Sequence, residues 1–402
     1  MIIVVGIGAD GWDGLPQRMR EVVESAPVIV GARRQLDLLP DVAGQRRELW
    51  PTPLRTALPE FLRSLGVRQQ VVALASGDPY VSGIGTTLTE LLGRDNVQVV
   101  PGVSSVALAR AEMGWSAESS VVVSLVGRPV DLLRRELAPG RRIIALSSDE
   151  ETPRRIAEIL DESGYGDSAL TVHGDLGGPD HTTQHFDRAS SVVNTVLRRV
   201  FPRLNIVTIS CAGPVLAGWV AGLPDDCFEH DGQLTKRDLR ASALARLSPV
   251  PGEHLWDVGA GAGSVGIEWM RAHPTCTAVA IESSTERAER IARNAARLGV
   301  PGLAVVEGRA PAALGGLAAP DAIFVGGGAT RDGVIDACLG ALRPGGRLVV
   351  HGVTLETETL LARLYQQHGG ELTRISVETT APVGTFTGWT PARAVTQWAL
   401  TR

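Results

Sequence analysis

His254-Leu255-Trp256-Asp257-Val258-Gly259-Ala260-Gly261-Ala262-Gly263 reads as a buried strand running into a glycine turn. The apolar run stops at a G-x-G-x-G string, the residue type needed where backbone curls beneath a ligand with no side chain intervening. The pattern opens a helix at Ser264, whose free N–H groups and positive dipole end would face whatever lies over the turn. One glycine loop is a weak signal, because many strand-to-helix turns look alike.

The downstream strand ends add the missing specificity. Ile281-Glu282 closes the next strand and places a carboxylate where it can chelate the two ribose hydroxyls of an adenosine. Glu307-Gly308-Arg309-Ala310 comes after a third strand, where backbone groups can meet an adenine edge. A fourth strand, Asp321-Ala322-Ile323-Phe324-Val325, ends at Gly326-Gly327, and Leu342-Arg343-Pro344-Gly345-Gly346 turns into a fifth, Arg347 to Val350. A nicotinamide dehydrogenase is the obvious rival, but its G-x-G-x-x-G fingerprint needs glycine where this chain has Ser264. The ordered set resembles the class I methyltransferases, a Rossmann-like fold. That resemblance implies an S-adenosylmethionine site in this part of the chain.

Composition bounds the alternatives. A chain of 402 residues is too long for one ordinary core, and 44% hydrophobic with 21% charged residues is globular composition. A net charge of −5 supplies no general attraction to phosphate backbones or anionic membranes, and 4% aromatics leave few stacking platforms for single-stranded nucleic acid. The four cysteines, Cys211, Cys227, Cys276 and Cys338, are widely spaced with no CxxC, which suits a reducing cytosol. The first residues lack the basic and long apolar regions of a signal peptide, and no apolar run approaches bilayer length; a soluble, cytoplasmic protein is expected.

Upstream, short apolar runs alternate with helical patterns, the α/β signature. Strands are expected at Ile2 to Ile7, Val71 to Ala75 and Val97 to Val100, each ending in a glycine- or proline-rich turn. After Trp115 the pattern restarts, with strands at Ser120 to Val126, Arg142 to Leu146, Leu170 to Val172 and Asn205 to Ser210, and a helix from Thr152 to Ser163. Residues 221–232 mix Gly, Pro and Asp without a period and are expected as a linker, ahead of a helix from Thr235 to Leu247. The turns Gly6-Ile7-Gly8-Ala9-Asp10, Ser76-Gly77-Asp78-Pro79 and Pro101-Gly102-Val103-Ser104-Ser105 come in the order and spacing of the tetrapyrrole methylase family, which this region resembles. The family usually has proline where Ala9 stands, so the first loop is expected to differ in shape.

The junction Asp231-Gly232-Gln233-Leu234-Thr235-Lys236-Arg237 resembles the start of the precorrin decarboxylating methylase domain. The whole chain is therefore similar to the decarboxylating precorrin methyltransferases of aerobic cobalamin synthesis, a family that fuses the two types. The resemblance implies an α/β protein with a two-lobed tetrapyrrole methylase domain at 1–220 (lobes about 1–114 and 115–220), a linker at 221–232 and a class I methyltransferase domain at 233–402. It implies methylation of precorrin-6Y at C5 by the first domain. The second would methylate C15 and decarboxylate the C12 acetate arm, giving precorrin-8. It also implies a homo-oligomer. Carried onto this chain, the N-terminal S-adenosylmethionine site would use Gly8, Gly77, Asp78, Ser104 and Ser105. Leu125, Val126 and Gly127, with His173-Gly174-Asp175-Leu176-Gly177, are second-lobe candidates. The C-terminal site would use Thr235, Gly259, Ala260, Gly261, Ala262, Gly263, Glu282 and Ala310. Lys236 and Arg237 are candidate clamps for substrate carboxylates, with Arg309 and Arg331 behind them. The family has Asn-Ala where this chain has His351-Gly352, so His351 is expected only to close the pocket.

Two features point elsewhere. His181 and His185, near Asp180 and Asp187, imitate a metal pair, but no third ligand is evident, the segment reads as loop, and no metal is expected. Arg33-Arg34 and Arg134-Arg135 read as solvated helix faces. A methyltransferase acting on RNA or protein, and a sensor or scaffold that binds S-adenosylmethionine without chemistry, are the competing functions. The first predicts a basic face and salt-sensitive binding; the second predicts binding without turnover.

Overall fold

The computed structural model describes residues 1–65, 70–194, 200–215 and 218–402. They fall into two compact units, one of Met1–Val130 with Leu137–Pro214, the other of Asp131–Glu136 with Val215–Arg402. Both are α/β, as the strand–helix alternation predicts.

The first unit holds two sheets. Strands β1 (Ile2–Ile7), β2 (Val28–Gly31), β3 (Arg46–Leu49), β4 (Val71–Ser76) and β5 (Val97–Val100) form a parallel sheet in the order β3-β2-β4-β1-β5. Side chains alternate along β1, and the two sets enter different cores: Ile3, Val5 and Ile7 pack with Leu15 and Val23, whereas Val4 packs with Ala73, Leu58 and Leu88. An apolar residue at every position is thus what a sheet covered on both faces requires. The second sheet contains β6 (Val121–Ser124), β7 (Arg142–Leu146), β8 (Ala169–Gly174), β9 (Thr182–Phe186) and β10 (Asn205–Ser210), ordered β6-β7-β10-β8-β9. Only β6 and β7 pair in parallel; β10 runs antiparallel to β7 and β8.

The second unit is built on β11 (His254–Val258), β12 (Thr277–Glu282), β13 (Ala304–Glu307), β14 (Ala322–Val325), β15 (Arg347–Gly352), β16 (Glu371–Ile375) and β19 (Val395–Thr401). They lie in the order β13-β12-β11-β14-β15-β19-β16, with β19 antiparallel to both neighbours. Strands β17 (Glu378–Val383) and β18 (Phe386–Pro391) pair as a separate hairpin. Leu255, Ala322 and Phe324 pack into one core, and Trp256, Val258, Ile323 and Val325 into another on the opposite face. Chain order reverses between β11 and β14, so the strand ends there are a topological switch point, where open α/β sheets bind ligands.

Several expectations need correction. The His181–His185 segment is not a loop: β9 is a polar edge strand, with His185 Nδ1 hydrogen-bonded to Thr171 Oγ1 at 2.8 Å and Nε2 3.3 Å from Asp187. The expected helix at Thr235 begins at Arg237, because Lys236 is extended. Residues 221–232 have little regular structure, but Leu223 and Phe228 are buried in the C-terminal core. No helix among the described residues is long and apolar enough to cross a membrane.

Candidate functional site

At the ends of β11, β12, β14 and β15 a pocket of about 550 Å³ opens. Its floor is the turn after β11. Gly259 has φ +70°, and a Cβ there would sit 2.8–3.0 Å from the backbone of Gly327 after β14. Two loops thus pass at a distance that only a bare backbone allows. The Glu282 carboxylate is fixed beside this turn by three backbone donors: Gly261 N–H at 2.9 Å, Ser283 N–H at 2.8 Å and Ser284 N–H at 3.0 Å. These bonds fill Oε1 and leave Oε2 one lone pair free at the pocket wall for a ribose hydroxyl.

Asp257, near the end of β11, is 1% exposed. Its Oδ2 accepts Gly266 N–H at 2.9 Å, while Oδ1 has no partner among the described residues. Burial, reinforced by the nearby Glu282 charge, pushes its carboxyl up to about 7.

Of the residues expected at this site, Thr235, Lys236, Gly259, Ala260, Gly261, Glu282 and Ala310 line the pocket together. Ala262 and Gly263 lie behind it: Ala262 is buried and its carbonyl accepts from Asn294 Nδ2 at 3.0 Å, and Gly263 packs on Ile291. Neither lines the pocket. Arg237 is also outside, its Nε donating to the Gly222 carbonyl at 2.8 Å. Lys236 Nζ lies 3.6 Å from Asp225 with half its side chain exposed. The junction loop is anchored by Asp231, which accepts from Arg287 Nε at 2.8 Å and from the Gln233 N–H; the Arg287 guanidinium holds its carboxyl down at about 2.

The lining carries five basic side chains, Lys236, Arg287, Arg309, Arg331 and Arg393, against the single carboxylate of Glu282. Among the described residues none pairs with the side chains of Arg309, Arg331 or Arg393. Arg393 was not recognisable in the sequence: it comes after β18 with no motif around it, and only the return of β19 beside β15 brings it here. His351, at the end of β15, also lines the pocket; it is nine-tenths buried and stands edge-on to Phe324, ring centroids 5.0 Å apart.

Behind the pocket lies a buried brace. Arg240, fully buried, donates from Nε to Glu268 at 2.5 Å and from its other nitrogens to the carbonyls of Leu223 and Thr235. Glu268 also accepts the N–H groups of Gly222, at 2.6 Å, and Leu223, at 3.0 Å. The brace fixes Thr235, and through it the pocket wall.

In the first unit the expected residues gather where three loops leave the parallel sheet. Gly77 N–H donates to the Ile7 carbonyl and Gly102 N–H to the Gly77 carbonyl, both at 3.0 Å. A Cβ on Gly6 would overlap Gly77 O, and Gly77 itself has φ +54°. Asp78 Oδ1 accepts Tyr80 N–H at 2.9 Å. Ser104 caps the helix Ser105–Met113 by accepting Ala107 N–H at 3.1 Å, and Gly8 packs against the Asp10 side chain. The second-lobe turn reaches the same place, since a Cβ on Gly178 would meet the backbone of Ala9 at 2.7 Å. Gly127 N–H donates to Ser148 Oγ, which donates to the Leu125 carbonyl.

Comparison with known proteins separates the same two parts. The family described as tetrapyrrole (corrin/porphyrin) methylases matches residues 1–187, and the precorrin methyltransferase domain matches residues 226–402. A precorrin-6Y C(5,15)-methyltransferase (decarboxylating) from Sinorhizobium sp is 45% identical over 406 aligned residues, covering 100% of this chain and 96% of the relative. The protein of the same name from Mycobacterium tuberculosis (strain ATCC 25618 / H37Rv) is 44% identical over 403 residues and 100% of both chains. The crystal structure of the C-terminal domain of precorrin-6Y C5,15-methyltransferase from Rhodobacter capsulatus, 43% identical, covers 46% of this chain and 100% of its own, with a TM-score of 0.44.

Proposed function

This chain belongs to the decarboxylating precorrin-6Y C5,15-methyltransferase family, and from that premise we propose that it methylates precorrin-6Y at C5 and C15 and removes the carboxyl of the C12 acetate arm, yielding precorrin-8. Residues 1–220 carry the C5 reaction and residues 233–402 the C15 reaction and decarboxylation, with 221–232 joining them. One observation supports this above others: a glycine-floored pocket sets the fixed Glu282 carboxylate beside three arginines that have no partner among the described residues. That pairing suits an adenosine-bearing methyl donor next to an acceptor rich in carboxylates.

The residues fit S-adenosylmethionine: the Gly259–Gly327 approach leaves a cradle that a Cβ would fill, and Glu282 Oε2 keeps a lone pair for a ribose hydroxyl. When bound, this molecule supplies a methyl group on an already activated sulfonium. The protein's task is then orientation and exclusion of water. Arg309, Arg331 and Arg393 would hold carboxylate arms of the acceptor and fix which ring carbon lies in line with the methyl group. Loss of carbon dioxide leaves the bonding electron pair on the arm's methylene, from where it spreads into the conjugated ring before a proton replaces the lost carboxyl. No acid–base triad is needed. In the first unit, Gly8, Gly77, Asp78, Ser104 and Ser105 form the second donor site. The chain works as a homo-oligomer in the cytoplasm.

A reading as an RNA methyltransferase draws no support from the chain's net charge of −5. The deciding experiment is mass spectrometry after incubation with precorrin-6Y and S-adenosylmethionine. Two added methyl groups with loss of one carbon dioxide are expected; an unchanged mass overturns the proposal.

A further inference from the structure

His351 lies directly opposite Gln397 in the β15–β19 register, and Gln397 in turn faces helix residue Arg246. A guanidinium can only donate. The Gln397 amide oxygen therefore turns to Arg246, accepting from Nε at 2.9 Å and Nη1 at 3.2 Å, and its NH2 group donates to His351 Nε2 at 2.9 Å. Arg246 is itself held by Glu371, through Nη2 at 2.5 Å and Nε at 3.0 Å. The polarity of the chain is thus fixed from the surface inward: Glu371 anchors Arg246, Arg246 orients Gln397, and Gln397 makes Nε2 an acceptor.

An imidazole whose Nε2 accepts carries its proton on Nδ1. Burial holds His351 down at about 4, so the ring stays neutral at ordinary pH. Nδ1 has no partner among the described residues, although His351 is nine-tenths buried and lines the pocket. By strand order, His351 on β15 stands three strands from Glu282 on β12, about 14 Å at the usual strand spacing. A donor whose ribose sits at Glu282 leaves this end of the pocket to the acceptor.

We propose that His351 is a substrate-positioning residue, whose Nδ1–H, locked in that tautomer by Gln397 and Arg246, donates to a carboxylate oxygen of the acceptor. The inference rests on the carboxylate-rich acceptor proposed above. Nδ1 meets no protein group among the described residues but reaches the open pocket, so an acceptor oxygen there supplies the hydrogen bond that they do not.

The test uses the full chain labelled with 15N-histidine, the His351 signals being identified by their loss in His351→Leu. Wild-type protein should show Nδ1 protonated and Nε2 bare. With S-adenosylhomocysteine present, adding precorrin-6Y should shift the Nδ1–H signal. In steady state, His351→Leu should raise the KM for precorrin-6Y about fivefold to tenfold with kcat within about twofold, and His351→Asn, which keeps an N–H donor, should restore most of it. An Nε2-protonated ring, an Nδ1 signal indifferent to precorrin-6Y, or equal losses in the two variants would each overturn the proposal. The tautomer is read without turnover, so a wild-type chain inert towards precorrin-6Y refutes the parent reading separately.

Discussion

Glu282 Oε1 accepts from its own turn and Oε2 from Gly261 of the turn after β11, and the carboxylate still faces the pocket, so its truncation should remove the proposed ribose partner. Glu282→Ala is expected to weaken S-adenosylmethionine binding in the C-terminal site by about tenfold to 100-fold, one charge-assisted hydrogen bond being worth about 1.5–3 kcal/mol. C15 methylation and decarboxylation should fall at sub-saturating S-adenosylmethionine while C5 methylation persists. Asp78→Ala should do the reverse, and equal loss of both reactions in either folded variant contradicts separate sites. Asp257 makes a pH prediction. Its carboxyl sits at about 7 in the fold, against about 3.9 in an unfolded chain. Between those values the native state keeps a proton the unfolded chain releases, so this group's contribution is full below about pH 4 and is lost as pH rises through about 7. Asp257→Asn should therefore gain stability at pH 8 relative to pH 5. Urea unfolding at both pH values checks this, and an unaltered pH slope removes Asp257 as the cause.

At the scale of elements, the helix Arg237–Leu247 is held by the buried Arg240–Glu268 pair, whose Nε–Oε1 distance is 2.5 Å. Arg240→Met leaves Glu268 buried with its charge uncompensated and should cost the C-terminal unit about 3–5 kcal/mol. Calorimetry should show that unit's transition falling alone; a fall of less than about 1 kcal/mol would show the brace to be dispensable. Such pairs also mark where the sequence is silent. Strands β1 and β14 were legible because burial on both faces demands unbroken apolar runs, and β11, broken by Asp257, because it runs into the glycine turn. Strand β9, Thr-Thr-Gln-His-Phe, carries no such pattern because it pairs with one neighbour at an edge, and its pairing with β8 comes from the partner. The hairpin β17–β18 is mostly exposed, Phe386 and Trp389 included, so burial leaves no mark on its sequence either. Glycines whose Cβ would strike another loop, such as Gly6 and Gly259, could be picked out as turns, but what they approach could not. Arg393 and the Gln397–His351 pair depend on register between distant strands, which spacing in one chain does not encode.

For the molecule as a whole, the proposed donor sites fall in two units with separate cores. Titration calorimetry with S-adenosylhomocysteine should give a stoichiometry of two for the full chain and one for each separated half; a single site in the full chain ends that reading. Where the halves are divided matters. A C-terminal half starting at residue 233 discards Gly222 and Leu223, whose backbone groups bind Glu268 and Arg240, whereas one starting at 221 keeps them. The longer fragment should unfold at higher urea, and equal midpoints would contradict the role given to this stretch.

The same brace constrains how such a chain could have been assembled from two ancestors. A segment that looks like mere tether in the sequence contributes two N–H groups and a carbonyl to the interior of the domain it precedes. Insertions or deletions should be punished from Gly218, whose carbonyl accepts from Arg271, to Thr235, so the seam of the fusion lies upstream of that stretch.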